Sequence, residues 1–196
     1  MPRATKEQSE QTAREVRASA FALFAEHGYA DVGLERVAER AGVTRGAVYH
    51  HYGSKVGLFA AVVADAQAIV ASAVAEAAPD DGWPAIEAGS VAFMRAVVDP
   101  AVRRILLVDG PAVLGWAVWR ELDAAAAGQQ LADGLTALDD LEVDPAAATA
   151  LLNGAMNEAA LWIAAGGDAG EAERGLLRII GSLRRDPDRQ RARSRT

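Results

Sequence analysis

This chain contains no cysteine and little histidine. The lack of cysteine excludes disulfides, thiolate zinc sites and cysteine nucleophiles. The three histidines, His27, His50 and His51, leave residues 52–196 without any. No segment resembles a phosphate-binding loop or a nucleophile elbow, and Asp139 and Asp140 are typical of a solvated turn. We therefore predict that the protein is not an enzyme and needs no metal ion or cofactor.

The sequence also lacks a long uninterrupted apolar run. The most apolar stretch, residues 60–78, contains Asp65, Gln67 and Glu76, which argues against a plain membrane span. Residues 1–8 are polar and do not resemble a signal peptide. These absences predict a soluble cytoplasmic protein with no membrane partner.

Positive charge is scarce and unevenly distributed. The net charge is −7, yet residues 1–57 hold eight Lys or Arg against seven Asp or Glu, a net of +1, and residues 58–196 hold twelve against twenty. The acidic residues 58–196 would be repelled by the phosphates of a DNA duplex, whereas residues 1–57 could contact it. Because a single +1 segment binds phosphates weakly, two copies in a dimer would bind better.

What the sequence has in abundance is alanine with helical apolar spacing, and it shows no strand pattern. We predict an all-α fold with one apolar stripe on the helix after residue 54, formed by Phe59, Val62, Val63, Ala66, Ile69, Val70 and Val74. Predicted helices cover residues 6–26, a short pair between 34 and 52, 54–77, 84–98, 101–108, 113–138 with Gly128 as a candidate break, 146–165 and 171–185; Asp109–Ala112 and Gly166–Gly170 are predicted turns.

Residues 34–52 predict two short helices joined by a tight turn. Gly42 follows the last periodic residue of the first helix, where a left-handed conformation ends a helix without a Cβ clash. Thr44 has the side chain of an N-cap for the second helix. Val48 and Tyr52 lie four residues apart and face inward. The arrangement is that of a helix-turn-helix, although an ordinary αα-hairpin remains an alternative.

Five short motifs follow one another along residues 20–59: Phe24–Tyr29, Leu34–Ala38, Ala41–Thr44, Tyr49–Tyr52 and Ser54–Lys55. In residue type and spacing they resemble the N-terminal domain of TetR-family transcriptional regulators. The resemblance covers about a quarter of the chain. Two departures are Gly33, where the family usually has Thr, and Tyr52, where it usually has Phe.

The resemblance implies an N-terminal three-helix helix-turn-helix DNA-binding domain and a larger helical ligand-binding and dimerisation domain. We predict the first over residues 1–53 and the second over residues 54–185, with 54–77 as a connecting helix. Residues 186–196 are predicted to be a disordered tail, whose arginines either add phosphate contacts or are merely solvated.

The outer face of the second motif helix carries the predicted DNA contacts. Arg45 lies where bases are usually reached and is the best candidate for reading guanine, with a phosphate contact as the alternative. Gly46 lets the backbone approach the duplex, and His50 meets a base or phosphate or is simply exposed. The remaining predicted contacts are the hydroxyl of Thr44 and, by resemblance to the family's phosphate-binding residues, Tyr49, His51 and Lys55.

The resemblance implies an effector cavity in the second domain, and bulky rings with a few polar groups there suit a largely apolar one. The alternative for each aromatic residue is that it belongs to the ordinary hydrophobic core. The alternative for the two asparagines is that they lie on a solvent-exposed helix face. The candidate residues are Phe93, Met94, Trp116, Trp119, Arg120, Asn153, Asn157 and Trp162.

The last two helices each carry an apolar stripe, which predicts a four-helix interface between two copies of the chain. Burial within the monomer is the alternative. The stripes are Leu151, Leu152, Ala155, Met156, Ala159 and Ile163 on one helix and Leu176, Leu177, Ile179, Ile180 and Leu183 on the other.

Taken with the resemblance, these features predict a ligand-responsive regulator, most simply a repressor. It would bind a pseudo-palindromic double-stranded operator as a homodimer and be released by a small apolar or aromatic effector. The alternative is a constitutive or architectural DNA-binding protein without an effector.

Overall fold

A computed structural model describes residues 6–78 and 81–185. Within these ranges the chain forms helices and no strand, apart from an isolated backbone bridge between Leu141 and Arg184. The predicted all-α fold is confirmed; the predicted tail, residues 186–196, lies outside the described residues. The helices are α1 (Lys6–His27), α2 (Leu34–Arg40), α3 (Arg45–Tyr52), α4 (Lys55–Ala77), α5 (Gly82–Val98), α6 (Pro100–Arg103), a π-helical segment (Arg104–Asp109), α7 (Gly110–Leu114), α8 (Trp116–Ala124), α9 (Ala127–Thr136), α10 (Pro145–Ala164) and α11 (Ala169–Ser182).

The chain divides into two compact units. Among the described residues, the first unit contains those up to Ile69 together with Asp99–Asp123, and the second contains Val70–Val98 and those from Ala124 onward. Helix α4 therefore runs from one unit into the other. The domain boundary predicted after residue 53 coincides with the break between α3 and α4, and it stays a prediction.

An aromatic cluster joins the end of α1 to the start of α4 in the first unit. Phe59 meets Phe24 edge-to-face at 5.3 Å between ring centroids and Tyr29 at 4.9 Å. Such pairs add to the stabilisation that ring burial alone supplies. Asp109 extends the cluster, because its Oδ2 accepts a hydrogen bond of 2.9 Å from the Tyr29 amide. This hydrogen bond ties the π-helical segment to the head, which is formed by α1, α2, α3 and the start of α4.

The predicted turn at Asp109–Ala112 is wrong, because these residues are helical. Gly110 explains the difference. A Cβ there would lie 2.9 Å from both the Ile105 carbonyl oxygen and Trp119 Cδ1, so only glycine allows this approach. Trp119 also donates from Nε1 to the Leu106 carbonyl oxygen at 2.7 Å. Packing against α8 thus keeps a Gly-Pro pair helical, which local turn propensity does not reveal.

The predicted break at Gly128 is also misplaced. The chain bends at residues 125–126, and Gly128 lies inside α9 and is buried. Helix α11 begins earlier than predicted, since the Asp168 side chain accepts a hydrogen bond of 2.8 Å from the Glu171 amide and caps it.

Helix α4 buries most of its predicted stripe, but Ile69 is 47% exposed and does not belong to it. By length and composition alone, α4 is the one helix among the described residues that is long and apolar enough to cross a membrane. Core helices pass the same test. The 2.6 Å hydrogen bond from Arg17 Nε to Asp65 Oδ2 and the burial of Gln67 place α4 among the core elements of the first unit.

The second unit is built from α5, α9, α10 and α11. Asp140 ties its last residues down, because its carboxylate accepts hydrogen bonds from Trp83 Nε1 at 2.7 Å and from Arg184 Nε at 2.9 Å. The hydrogen bond from Trp83, followed by the hydrogen bond and the positive charge of Arg184, lowers the pKa of Asp140. Asp140 therefore has a structural role, which the expectation of a merely solvated turn missed.

Candidate functional site

The turn between α2 and α3 has the geometry that the sequence predicted. Gly42 adopts a φ of +66°, and the Val43 amide bonds back to the Ala38 carbonyl oxygen at 3.0 Å. Thr44 Oγ1 accepts a hydrogen bond of 3.2 Å from the Ala47 amide, which caps α3. Gly33 caps α2 without a side-chain bond. Short-range contacts in the turn thus fix the orientation of α3 relative to α2.

The inner face of α3 is anchored. Val48 is fully buried, and the Tyr52 hydroxyl donates to the Ala13 carbonyl oxygen at 2.6 Å. Burial raises the pKa of Tyr52. Tyr52 departs from the family pattern, which has Phe here, and this hydrogen bond gives its additional hydroxyl a partner on α1.

The outer face of α3 is exposed at Arg45, Gly46, Tyr49 and His50. A Cβ at Gly46 would meet only Thr44 Oγ1, at 3.8 Å. His51 is half-buried, with its ring centroid 5.4 Å from that of His50. The exposed residues thus extend from Arg45 in the first turn of α3 to His50 in its last turn.

Arg45 is held in place by two neighbours. It forms an ion pair with Glu35 on α2, and its Nη2 donates to the Tyr49 hydroxyl at 3.2 Å. The Tyr49 hydrogen bond and the Glu35 charge raise the pKa of Arg45. The guanidinium therefore projects from α3 in a defined direction.

A second cation lies at the start of α4. Lys55 Nζ sits 4.1 Å from the centroid of the Tyr29 ring and donates to the Ala30 carbonyl oxygen at 3.3 Å. Burial raises the pKa of Tyr29, so the ring stays neutral. Ser54 Oγ caps α4 by accepting a 2.9 Å hydrogen bond from the Gly57 amide. The ammonium thus lies beside a helix N-terminus, where phosphates bind.

The second unit contains a cavity of about 410 Å³. Its walls come from the end of α4, from α5, α9 and one residue of α10. The deep part is apolar, with Ile86, Phe93 and Met156 nearly fully buried. This volume lies within the range of small-molecule sites, roughly 300–1,000 Å³.

Phe93 is the one predicted ligand residue among those that line this cavity. Met94 and Asn153 are buried in the same unit, whereas Trp162 is 48% exposed. Asn157 Oδ1 is buried and has no hydrogen-bond partner among the described residues. The three other candidates belong to the first unit, where Trp116 is 66% exposed, Arg120 lies over the Trp116 ring and Trp119 is buried. The other seven predicted ligand residues do not line this cavity, and their role in ligand binding stays a prediction.

Two family matches cover most of the chain. Residues 16–62 match the family described as bacterial regulatory proteins, tetR family. Residues 83–185 match the family described as tetracyclin repressor-like, C-terminal domain. The chain belongs to the TetR family. It is therefore a DNA-binding transcriptional regulator and not an enzyme, as the sequence predicted.

The curated relatives align with about a third of this chain. The chain is 39% identical over 67 residues to the HTH-type transcriptional regulator SrpR of Pseudomonas putida, covering 34% of this chain and 32% of that protein. It is 40% identical over 63 residues to the repressor AcnR of Corynebacterium glutamicum, covering 32% of this chain and 34% of that protein. These alignments span about a third of the length of the curated relatives.

Solved TetR-family structures match nearly the whole chain. A regulator from Pectobacterium atrosepticum is 31% identical, with a TM-score of 0.71, and the match covers 94% of this chain and 100% of that one. The fatty acid degradation regulator FadR of Bacillus halodurans has a TM-score of 0.70 at 12% identity, covering 91% and 96% of the two chains, and shows the fold alone.

Reasoning from the sequence missed several site residues. Glu35 carries no signal of its own, since its meeting with Arg45 depends on the angle between α2 and α3. Ser90 and Asp133 line the cavity, but neither belongs to an aromatic or amide pattern of the kind used to find ligand residues. An apolar helix face that contains one serine is the signal that would have found Ser90.

Proposed function

We propose that this chain is a ligand-responsive transcriptional repressor. As a homodimer it binds a pseudo-palindromic operator, and a small, largely apolar effector releases it. The observation that carries this proposal is the cavity with buried apolar walls in the same chain as an exposed, capped recognition helix. Such a protein acts in the cytoplasm, where the chromosome of a bacterium lies.

In this proposal Arg45 reads a guanine edge in the major groove, and Gly46 allows close approach of the α3 backbone. Tyr49, His51 and Lys55 bind phosphates, Thr44 adds a hydroxyl contact, and His50 meets a base or phosphate. The position of Lys55 beside the first turn of α4 supports its role, because the ammonium and the free amides there attract the same phosphate.

The homodimer is proposed to form through α10 and α11, which pack against each other. The predicted stripes divide in two. Leu152, Met156, Leu176 and Ile180 are buried within the unit, whereas Leu151 is 69% and Ile179 is 47% exposed. The monomer core thus takes only part of the apolar surface.

Exposed glycines on α10 and α11 also support these two helices as the dimer interface. A Cβ at Gly154 on α10 or at Gly175 on α11 would meet no atom within 4 Å. Small residues on exposed helix faces let a second pair of helices approach closely. Leu161 and Trp162 add exposed apolar area on α10.

The dimer is tested by light scattering on Leu151→Arg, with Val118→Arg as the control. Val118 is also an exposed apolar helix residue, 46% exposed, but lies on α8. We expect a dimer for the parent chain and the control and a monomer for Leu151→Arg. A monomeric parent chain that selects an asymmetric half-site from random DNA would overturn the proposal.

Effector control is tested by titrating a library of apolar and aromatic metabolites against the complex with selected DNA. Tryptophan emission and DNA anisotropy are followed together. Because residues 1–57 contain no tryptophan, emission reports on the rest of the chain. A ligand that releases DNA must bind at matching concentrations, since it acts through its differential affinity for two states. If the library changes neither signal, the constitutive DNA-binding protein is the better description.

A further inference from the structure

The cavity of the second unit has charge at its mouth and none at depth. Asp81 and Asp133, both exposed, are its charged lining residues. Among the described residues that line it there is no Lys, Arg or His. An anionic ligand would therefore enter past two carboxylates and find no cation to pair with.

A buried polar side chain belongs to the apolar wall of the cavity. Ser90 is 3% exposed, lines the cavity, and its Oγ has no hydrogen-bond partner among the described residues. It shares one face of α5 with Ile86 and Phe93, at helical spacing. Buried hydroxyls normally have a partner, and an orphaned one in a cavity wall points to a ligand or water that supplies it.

Three arginines of this unit form ion pairs outside the cavity. Arg95 pairs with Glu173, Arg174 with Glu171 and Arg184 with Asp140. Asp133 accepts one hydrogen bond, 2.7 Å from Gln129 Nε2. Since a carboxylate offers about four acceptor sites, this bond leaves Asp133 able to bind a cation.

We propose that the effector is an organic cation with an apolar body, such as an alkyl or aryl ammonium compound. Its apolar part fills the space between Ile86, Phe93 and Met156, and its charged end lies between Asp81 and Asp133 at the mouth. This inference rests on the proposed effector function and specifies the charge of the ligand. Two carboxylates do not make a metal site, and the described residues hold no group of three or more metal-ligating side chains.

The test compares three probes with an alkyl chain of similar length and a different charge at one end: decyltrimethylammonium, decan-1-ol and decanoate. Binding to the full chain is measured by titration calorimetry, below the micelle concentration of the two ions and below the solubility limit of the alcohol. We expect decyltrimethylammonium to bind about tenfold more tightly than decan-1-ol, and decanoate to bind most weakly, since each exposed carboxylate contributes modestly. Raising the salt concentration should reduce this preference.

Three variants locate the effect. Asp81→Asn with Asp133→Asn should abolish the preference for the cation, whereas Asp139→Asn, an exposed carboxylate of the same unit outside the lining, should retain it. Ser90→Leu fills the deep part and should abolish binding of all three probes, with circular dichroism confirming its fold. If that variant does not fold, the asparagine pair still decides.

The inference is overturned if the cation and the alcohol bind equally, if decanoate binds most tightly, if no probe binds, or if the asparagine pair retains the preference. The proposed function fails differently. If the cation binds with the expected preference but does not release DNA, the charge assignment stands and effector control does not. If decan-1-ol releases DNA without any charge preference, effector control stands and the charge assignment fails.

Discussion

Glu35 on the first turn of α2 forms an ion pair with Arg45, the first residue of α3. Both side chains are more than half exposed, so the pair adds little to stability. Its consequence is for recognition. In the proposed complex, the Arg45 guanidinium turns from this carboxylate toward a base or a phosphate, and the carboxylate places a negative charge near the DNA.

Replacing Glu35 with Gln should strengthen DNA binding. The change removes a competitor for Arg45 and a negative charge near the duplex. We expect an affinity gain of about three- to tenfold at low salt, comparable to one exposed ion pair. Fluorescence anisotropy measures the gain, with Glu39→Gln on the same helix as the control for loss of charge alone. Equal gains in both variants would show that the ion pair does not restrain Arg45.

Arg45→Ala and Lys55→Ala should differ in kind. Arg45→Ala is expected to cost about 1–3 kcal/mol per half-site and to relax preference at one base position. Lys55→Ala should weaken binding to all sequences alike and flatten the salt dependence, because it removes a phosphate contact. Selection from randomised DNA at two salt concentrations separates these effects. A change of base preference in Lys55→Ala but not in Arg45→Ala would invert the two roles.

Two glycines of the head should respond oppositely to alanine. At Gly57 a Cβ would clash with the Tyr52 carbonyl oxygen, 2.2 Å away, whereas at Gly46 the nearest atom is 3.8 Å away. Gly57→Ala should lower the free energy of unfolding by about 1–3 kcal/mol, as overpacking does. Gly46→Ala should leave stability unchanged or slightly raised and weaken DNA binding. Urea unfolding and anisotropy measure both, and a stable Gly57→Ala with normal binding would contradict the tight start of α4.

Acid should weaken the second unit through Asp140. Its pKa is lowered, first by the hydrogen bond from Trp83. A carboxyl with a lowered folded-state pKa stabilises the fold above its unfolded pKa, about 3.9, and loses that contribution as the pH falls through the folded-state value. The stability difference between the parent chain and Asp140→Asn should thus be larger at pH 7 than at pH 2.5, in urea unfolding followed by tryptophan emission. Asp139→Asn is the matched control, and a difference independent of pH would refute the role of the charge.

The head was predictable because its determinants are local. Gly42 ends α2, Thr44 caps α3 and Val48 faces inward, and each acts within four residues along the chain. Such signals survive in the sequence, and the family motifs repeat them. The partner of Arg45 was not predictable, because Glu35 is ten positions away and reaches it only across the angle between two helices.

The helices that follow α3 were predicted less well, since their features depend on which helix faces meet. In the first unit, Gly110 is helical because Trp119 packs against it, and Ile69 is exposed although it fits an apolar stripe. Phe93 was expected in a cavity and lines one, but Ser90 and Asp133 were not recognised.

The sequence by itself determined the all-helical fold, the helix-turn-helix and the family, because helix periodicity, capping and turn chemistry are properties of neighbouring residues. Only the tertiary structure decided where the cavity lies, which charges line it, and which apolar residues of α10 and α11 stay exposed. Those features arise from residues far apart in the chain, whose side chains meet only when helices pack at particular angles.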